Sequence, residues 1–211
     1  MNVTVLGATG RTGRPLVTEL LTRGHRVTVL VRDPATYPTP DGVTVVAGHS
    51  RDTAALAAAV TGADAVISAL GPVAKDATLH RDTAQSLIPV MTEQGVMRFV
   101  GVSGAGIDVP GDHKSPSARA ISWAIRTFGG EVARDKLEEY SLYAASDLDW
   151  TLVRPPRLTD GPRTGSVAHD AHQSQRATTL SRADLAVFLI DVLEQHLYPR
   201  DAPFVASRKP T

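Results

Sequence analysis

A short apolar run, Val3-Thr4-Val5-Leu6, leads straight into Gly7-Ala8-Thr9-Gly10-Arg11-Thr12-Gly13. A strand that ends in such a glycine series and turns into a helix is a phosphate cradle. The first glycine permits the tight turn, the second lets a pyrophosphate approach the backbone, and the third lets the helix pack close to the strand. The helix then aims free N–H groups and the positive end of its dipole at the anion. The following residues agree. Pro15 falls in the first turn, where a missing N–H costs nothing. Leu16, Val17, Leu20 and Leu21 supply a buried face, and Gly24 ends the helix. Residues 27–31, Val-Thr-Val-Leu-Val, form the next strand. This is a complete strand, glycine loop, helix and strand, and it predicts a bound dinucleotide.

The same alternation continues. Strands are expected at residues 43–46, 65–68, 98–102 and 150–153, with helices at about 52–60 and 79–94, the latter containing Pro89 and ending at Gly95. A further helix carries Leu137, Tyr140 and Ala144, whose spacing predicts one packed face. Continuous apolar strands separated by helices indicate an α/β fold, a doubly wound parallel sheet of the Rossmann kind, with strand order 3-2-1-4-5-6. Residues 158–175 have little periodicity and are expected to be loop-rich. Ser181-Arg182-Ala183-Asp184 resembles a capping box with aspartate in the glutamate position. The helix behind it places Leu185, Phe188, Leu189, Val192 and Leu193 at core spacing, and a last strand is expected near Phe204 and Val205. Residues 1–211 are taken as a single NAD(P)-binding domain, with 155–211 contributing a small C-terminal substrate lobe.

The end of the second strand decides which dinucleotide fits. An acid there binds a free ribose 2′-hydroxyl, and an arginine accommodates a 2′-phosphate. Here it ends Val31-Arg32-Asp33-Pro34, with Arg11 and Arg14 adding positive charge at the glycine loop. NADP(H) is favoured. NAD(H) stays open, because Asp33 could meet the 2′-hydroxyl or simply pair with Arg32.

Composition narrows the classes. The 211 residues hold 22 Lys plus Arg against 22 Asp plus Glu, a formal charge of zero, so no basic field points to nucleic acid or a membrane surface. The absence of cysteine removes disulfides, thiolate metal sites and a cysteine nucleophile. The chain opens directly on a strand, with no signal-like stretch, and no run approaches a membrane span. The expectation is a cytoplasmic protein, monomer or homodimer, whose partner is a small-molecule substrate. In His169-Asp170-Ala171-His172 no supporting carboxylate motif accompanies the two histidines, and a flexible loop supplies the three ligands of catalytic zinc poorly, so no metal is expected. No Gly-x-Ser-x-Gly elbow follows a strand, which argues against a Ser-His-Asp hydrolase.

The glycine loop, the Val-Arg-Asp-Pro corner, Val66-Ile67-Ser68-Ala69-Leu70-Gly71 and Phe99-Val100-Gly101-Val102-Ser103 together resemble the atypical short-chain dehydrogenases/reductases. Asp149-Trp150-Thr151-Leu152-Val153-Arg154-Pro155 and Ser181-Arg182-Ala183-Asp184-Leu185-Ala186 strengthen the likeness. The group includes the NmrA-like proteins and the biliverdin reductase B/flavin reductase type. The resemblance implies that Gly7, Thr9, Gly10, Arg11, Thr12 and Gly13 hold the pyrophosphate and Arg32 the adenosine phosphate. It also implies that Ala69, Leu70 and Gly71 line the nicotinamide half, Ser103 sits by the nicotinamide, and Pro155 and Pro156 pack near the carboxamide. Where the group often has Gly-Asp after strand three, this chain has Gly48-His49; His49 could stack on the adenine or lie exposed.

Typical short-chain enzymes pair a tyrosine acid with a lysine four residues later. Lys136 matches the lysine, but Val132 stands where the tyrosine would be. Tyr140, one turn beyond Lys136, and Tyr143 are the remaining acid candidates, and helical spacing favours a core role for Tyr140. Hydride delivered to a ketone leaves an alkoxide that needs a proton donor. A conjugated acceptor such as flavin or quinone spreads the charge itself and needs mainly orientation. The missing tyrosine favours the second chemistry, with Ser103, Lys136 and Tyr140 as candidate catalytic groups. A biosynthetic ketoreductase, dehydratase or epimerase, and a non-catalytic NmrA-like sensor, are the alternatives. The acceptor walls are expected from residues 71–77, 104–117 and 157–175, with Asp112, His113 and Lys114 in the second. Residues 117–128 are expected to form a helix over the site or against a partner subunit, with Trp123 packed.

Overall fold

Parallel strands bury both faces, and in this chain each strand sends alternate residues into two separate apolar layers. In the computed structural model, which describes residues 1–73, 76–128 and 130–208, β1 (Asn2–Leu6) runs through the middle of a six-stranded sheet. It pairs in parallel with β2 (Arg26–Val31) on one side and β4 (Ala65–Ser68) on the other, with Val5 opposite both Val29 and Ile67. With β3 (Val43–Ala47), β5 (Arg98–Val102) and β6 (Asp149–Val153), the order is β3-β2-β1-β4-β5-β6. Every strand expected in this sheet is present, and the sheet is the doubly wound one.

Val3, Val5, Val27, Val29, Ile67, Val100 and Val153 face a layer formed by α1 (Gly13–Thr22) and α6 (Arg182–Glu194). Leu6, Leu30, Val66, Phe99 and Leu152 face the opposite layer, α2 (Thr53–Val60), α3 (Leu79–Glu93) and α5 (Gly130–Ala145). Asp52 caps α2 by accepting from the amides of Ala54 at 3.0 Å and Ala55 at 3.2 Å. Because all six strands point one way, the residues after Leu6, Val31, Ser68, Val102 and Val153 gather on one rim, where ligands of such sheets bind.

Residues 158–175 are less irregular than their sequence predicts. β7 (Arg157–Thr159) pairs in parallel with β9 (Thr179–Ser181), and β8 (Val167–Asp170) pairs antiparallel with β10 (Phe204–Ser207). These strands are three or four residues long, too short for a period-two pattern to stand out. The capping box is also modified. Ser181 accepts the Asp184 amide at 3.0 Å, but the Asp184 carboxylate turns away to the amides of Thr164 and Gly165, each at 2.9 Å, and to the hydroxyls of Thr164 at 2.8 Å and Ser181 at 2.7 Å. Asp184 thus fastens a turn of the C-terminal segment to the start of α6.

Candidate functional site

The glycine loop is packed too tightly for side chains. A Cβ on Gly13 would stand 2.1 Å from the carbonyl oxygen of Gly7, and one on Gly7 would meet the Ala69–Leu70 peptide at 2.9 Å. Gly7 also has φ +79°, and the Gly10 amide closes the turn onto the Gly7 carbonyl at 3.0 Å. Thr12 occupies the N-cap of α1 without a side-chain cap bond, and the first turn carries no acid. The amides at this helix end therefore keep their affinity for an anion. Thr9, Gly10 and Arg11 are exposed at the mouth. Arg11 pairs with Asp160 at 3.2 Å, and Arg14 folds back so that its Nε donates to the Thr9 carbonyl at 3.1 Å.

Arg32, at the end of β2, is exposed. Asp33, the counter-signal for NAD(H), is used locally: it caps a 3-10 turn at 34–36, accepting the Ala35 amide at 3.1 Å. Behind that turn lies Tyr37, a buried phenol that sequence reasoning did not single out. Burial raises its pKa, and the nearby Arg14 guanidinium opposes the rise. After β3, half-buried His49 accepts the Arg51 amide on Nδ1 at 3.3 Å, which leaves the proton on Nε2.

At the neighbouring strand ends, Ala69 is buried, Leu70 half-buried and Gly71 exposed. Ser103 donates its amide to the Val153 carbonyl at 2.8 Å, and the Ala105 amide donates to buried Pro155 at 3.0 Å, so the exits of β5 and β6 are stitched together. The Ser103 hydroxyl is buried and has no hydrogen-bond partner among the described residues. Next to it, Lys136 Nζ donates to the Val102 carbonyl at 2.8 Å and to Glu139 at 3.0 Å. Burial pulls the Lys136 pKa down, and the Glu139 carboxylate opposes this.

The buried face of α5 differs from the expected one. Leu137 is 44% exposed and Ala144 is exposed, whereas Asp135, Lys136, Glu139 and Tyr143 are buried. Three of these four residues are acids or a base that carry charge in water, so an apolar stripe marked the wrong side of the helix. Tyr140 is half-buried, edge-on to Trp150 with centroids 5.8 Å apart, and burial raises its pKa against the nearby Arg154 charge. Tyr143 is stacked on Phe99 at 4.2 Å, and burial lifts its phenol well above the ordinary range. The sequence also gave no sign that Asp135 meets His80 across 55 residues, with Nδ1 2.7 Å from the carboxylate. Contacts this distant leave no local pattern.

Of the polar residues expected at the acceptor wall, Asp112 and Lys114 turn inward, while His113 is exposed. Asp112 and the fully buried Arg154 form a two-bond fork at 2.7 Å, and the guanidinium lies 3.8 Å over the Phe204 ring. Lys114 donates to Asp108 at 2.8 Å and Ser122 at 2.9 Å, and His113 lies in a β-bridge to Gln173. Ala74 and Lys75, part of the first expected wall, lie outside the described residues, as do the side chains of Ser117 and Phe128. The expected helix is α4 (Pro116–Phe128), but Trp123, expected to be packed, is 56% exposed. His169 Nδ1 contacts the Tyr198 hydroxyl at 2.6 Å, and among the described residues no three His, Cys, Asp or Glu side chains converge as metal ligands. No helix among them is long and apolar enough to cross a membrane.

A family model described as NAD(P)H-binding matches residues 7–196. The uncharacterized protein YwnB of Bacillus subtilis is 25% identical over 201 residues, 92% of each chain. A short-chain dehydrogenase/reductase from Veillonella parvula, solved in complex with NADP, superposes with a TM-score of 0.81 at 22% identity, covering 100% of this chain and 98% of that one. ChuY, an anaerobillin reductase from Escherichia coli O157:H7, superposes with a TM-score of 0.81 at 23% identity over 100% of both chains. At such identities the two structures speak for the fold, and the family match speaks for the chain. With its glycine cradle on the rim of a doubly wound sheet, the chain belongs to the NAD(P)H-binding family, with the Rossmann fold of the atypical short-chain dehydrogenases/reductases.

Proposed function

We propose that the protein is an NADPH-dependent reductase that transfers hydride to a planar conjugated acceptor, a flavin, a quinone or a similar ring system. One observation carries this reading. On the rim, the Ser103 hydroxyl is a buried polar group with no partner among the described residues, while Val132 stands one turn before Lys136, where a ketone-reducing enzyme of this type has its tyrosine. A hydroxyl suits an acceptor that absorbs the charge itself, because such an acceptor needs orientation and a single hydrogen bond more than a strong acid.

The residues fit the cofactor by shape and charge. Gly7, Thr9, Gly10, Arg11, Thr12 and Gly13 would hold the pyrophosphate in a cradle that a Cβ would fill. Arg32, with Arg14 close by, would take the 2′-phosphate, and the diversion of Asp33 into a cap favours NADPH over NADH. His49 would lie against the adenine, and Ala69, Leu70, Gly71 and Pro155 along the nicotinamide half. When bound, the reduced nicotinamide supplies the hydride. Ser103 would donate a hydrogen bond to the acceptor edge. Lys136 would hold the backbone just before Ser103 through the Val102 carbonyl, and Tyr140, whose phenol burial pushes further up, would be a further acid. The fold likeness to an NADP complex and to an anaerobillin reductase supports both halves of this reading. It takes residues 1–211 as one domain, with 155–211 as the acceptor-side lobe, acting in the cytoplasm as a monomer or homodimer.

Steady-state oxidation of NADPH against flavins, quinones and simple ketones tests it. Turnover of the conjugated acceptors with NADPH preferred is expected, and loss of about ten- to a hundredfold in Ser103→Ala if its hydrogen bond is made in the transition state. Turnover of ketones alone, or binding without any turnover, would defeat it.

A further inference from the structure

We propose that His80 is a positioning residue for the cofactor cradle: anchored on Asp135, its imidazole straps the carbonyl of Leu70, whose amide packs under Gly7. The proposal rests on the dinucleotide reading above and deepens it. His80 lies in the first turn of α3 and is 3% exposed. Its Nδ1 is 2.7 Å from Asp135 and its Nε2 is 3.3 Å from the Leu70 carbonyl oxygen. Asp135 also accepts the backbone amides of His80 at 3.1 Å and Arg81 at 2.8 Å. It thereby caps α3 from a neighbouring helix, where the α3 N-cap residue, Thr78, makes no side-chain cap bond. Ring and helix end are held by one carboxylate. One peptide away, the Leu70 nitrogen lies 2.9 Å from the place a Gly7 Cβ would take, so a pull on the Leu70 carbonyl is felt at the pyrophosphate turn. Lys136 holds the next strand exit in the same manner, through the Val102 carbonyl.

Both neighbours of the ring are acceptors, so a proton on each nitrogen is needed to satisfy both. With a single proton, Nδ1 keeps it, because the carboxylate is the nearer and stronger acceptor. The Leu70 carbonyl is then released. Acidification tightens the strap. The charged groups around the ring are Asp135, Lys136 and Glu139 from α5, with Arg81 and Asp82 on α3 itself and Arg51, from the connection after β3, acting on Asp135. Burial and the Lys136 charge draw the imidazole below its ordinary 6.5, against Glu139 and Asp135, so the second proton arrives on the acid side of that value.

The test is nitrogen- and carbonyl-resolved NMR of the cofactor-free protein between about pH 8 and pH 5, with calorimetric NADPH titrations at both ends. Wild type is compared with His80→Gln, whose side-chain amide can reach the Leu70 carbonyl at every pH. An Nε2–H signal growing in on acidification, a concurrent shift of the Leu70 carbonyl, and affinity improving by up to about tenfold relative to the variant are expected. A Leu70 carbonyl that ignores the titration, or a wild-type-to-variant affinity ratio equal at both pH values, overturns the proposal. Asp135→Asn should erase the pH dependence of that ratio; its survival would also overturn it. Failure of all forms to bind NADPH or NADH would sink the dinucleotide reading instead, while the carbonyl signal still judges the strap.

Discussion

α6 and α5 flank the same sheet on opposite faces, and they bury opposite kinds of surface. α6 turns Leu185, Phe188, Leu189, Val192 and Leu193 inward, all nearly inaccessible. α5 turns Asp135, Lys136 and Glu139 inward beside Tyr143. The apolar face works by area: it stabilises without direction, at about 1.5–3 kcal/mol for each large side chain. The ionic face works by address. Each buried charge ends on a particular group, Asp135 on the start of α3 and Lys136 on the exit of β5, so the helix fixes backbone at the rim of the site. An ionic face contributes little net stability compared with an apolar one, and its value lies in where it holds things.

The largest effect should come from breaking the ionic face on one side. Lys136→Met leaves Glu139 buried and unpaired, and is expected to cost about 3–5 kcal/mol, read as a fall of about 6–20 °C in Tm. Lys136→Met combined with Glu139→Leu should recover most of that stability while KM for NADPH stays raised. A double variant with both stability and KM at wild-type values would show that the α5 face is packing alone. On the other helix, Leu189→Ala is expected to cost about 2–5 kcal/mol by denaturant unfolding, with NADPH affinity of the folded fraction unchanged. Coupled loss of affinity would blur the contrast. A smaller effect isolates the rim from both faces: Arg32→Ala should weaken NADPH by about ten- to a hundredfold and NADH far less, measured by calorimetry. The smallest concerns pH. Despite burial, hydrogen bonds from Ser181, Gly165 and Thr164 hold the Asp184 carboxyl below its ordinary 3.8. Its contribution is therefore fully present above that value and lost as pH falls through the lower, folded-state pKa. Asp184→Asn should flatten this acid limb in urea unfolding at successive pH values; an unchanged limb would remove Asp184 from the account.

The cradle was legible because its causes are local. Gly13 is required by an approach within the turn itself and Gly7 by the turn's positive φ, while Pro15 and Gly24 punctuate the helix where the chain itself dictates. The second constraint on Gly7, the Ala69–Leu70 peptide, comes only with the fold. The α6 stripe was legible because apolar residues at a helical period have few other uses. The same logic failed on α5, where Leu137 and Ala144 looked like a packed face and proved exposed. Buried charges read as solvated ones until their partners are known, and beyond the Lys136–Glu139 pair within α5 those partners come from other elements: His80 for Asp135, the Val102 carbonyl for Lys136. Tyr37, lodged behind a proline-rich turn, gave no signal either.

The alternation of strands and helices, the order of the sheet and the glycine turn were determined by the sequence, because they follow from backbone sterics, apolar periodicity and the right-handedness of strand–helix–strand crossovers. Which charges are buried, and which carbonyls they hold, was decided only by the tertiary structure. An ion survives burial only beside a partner, and for His80 and Asp135 that partner stands 55 residues away.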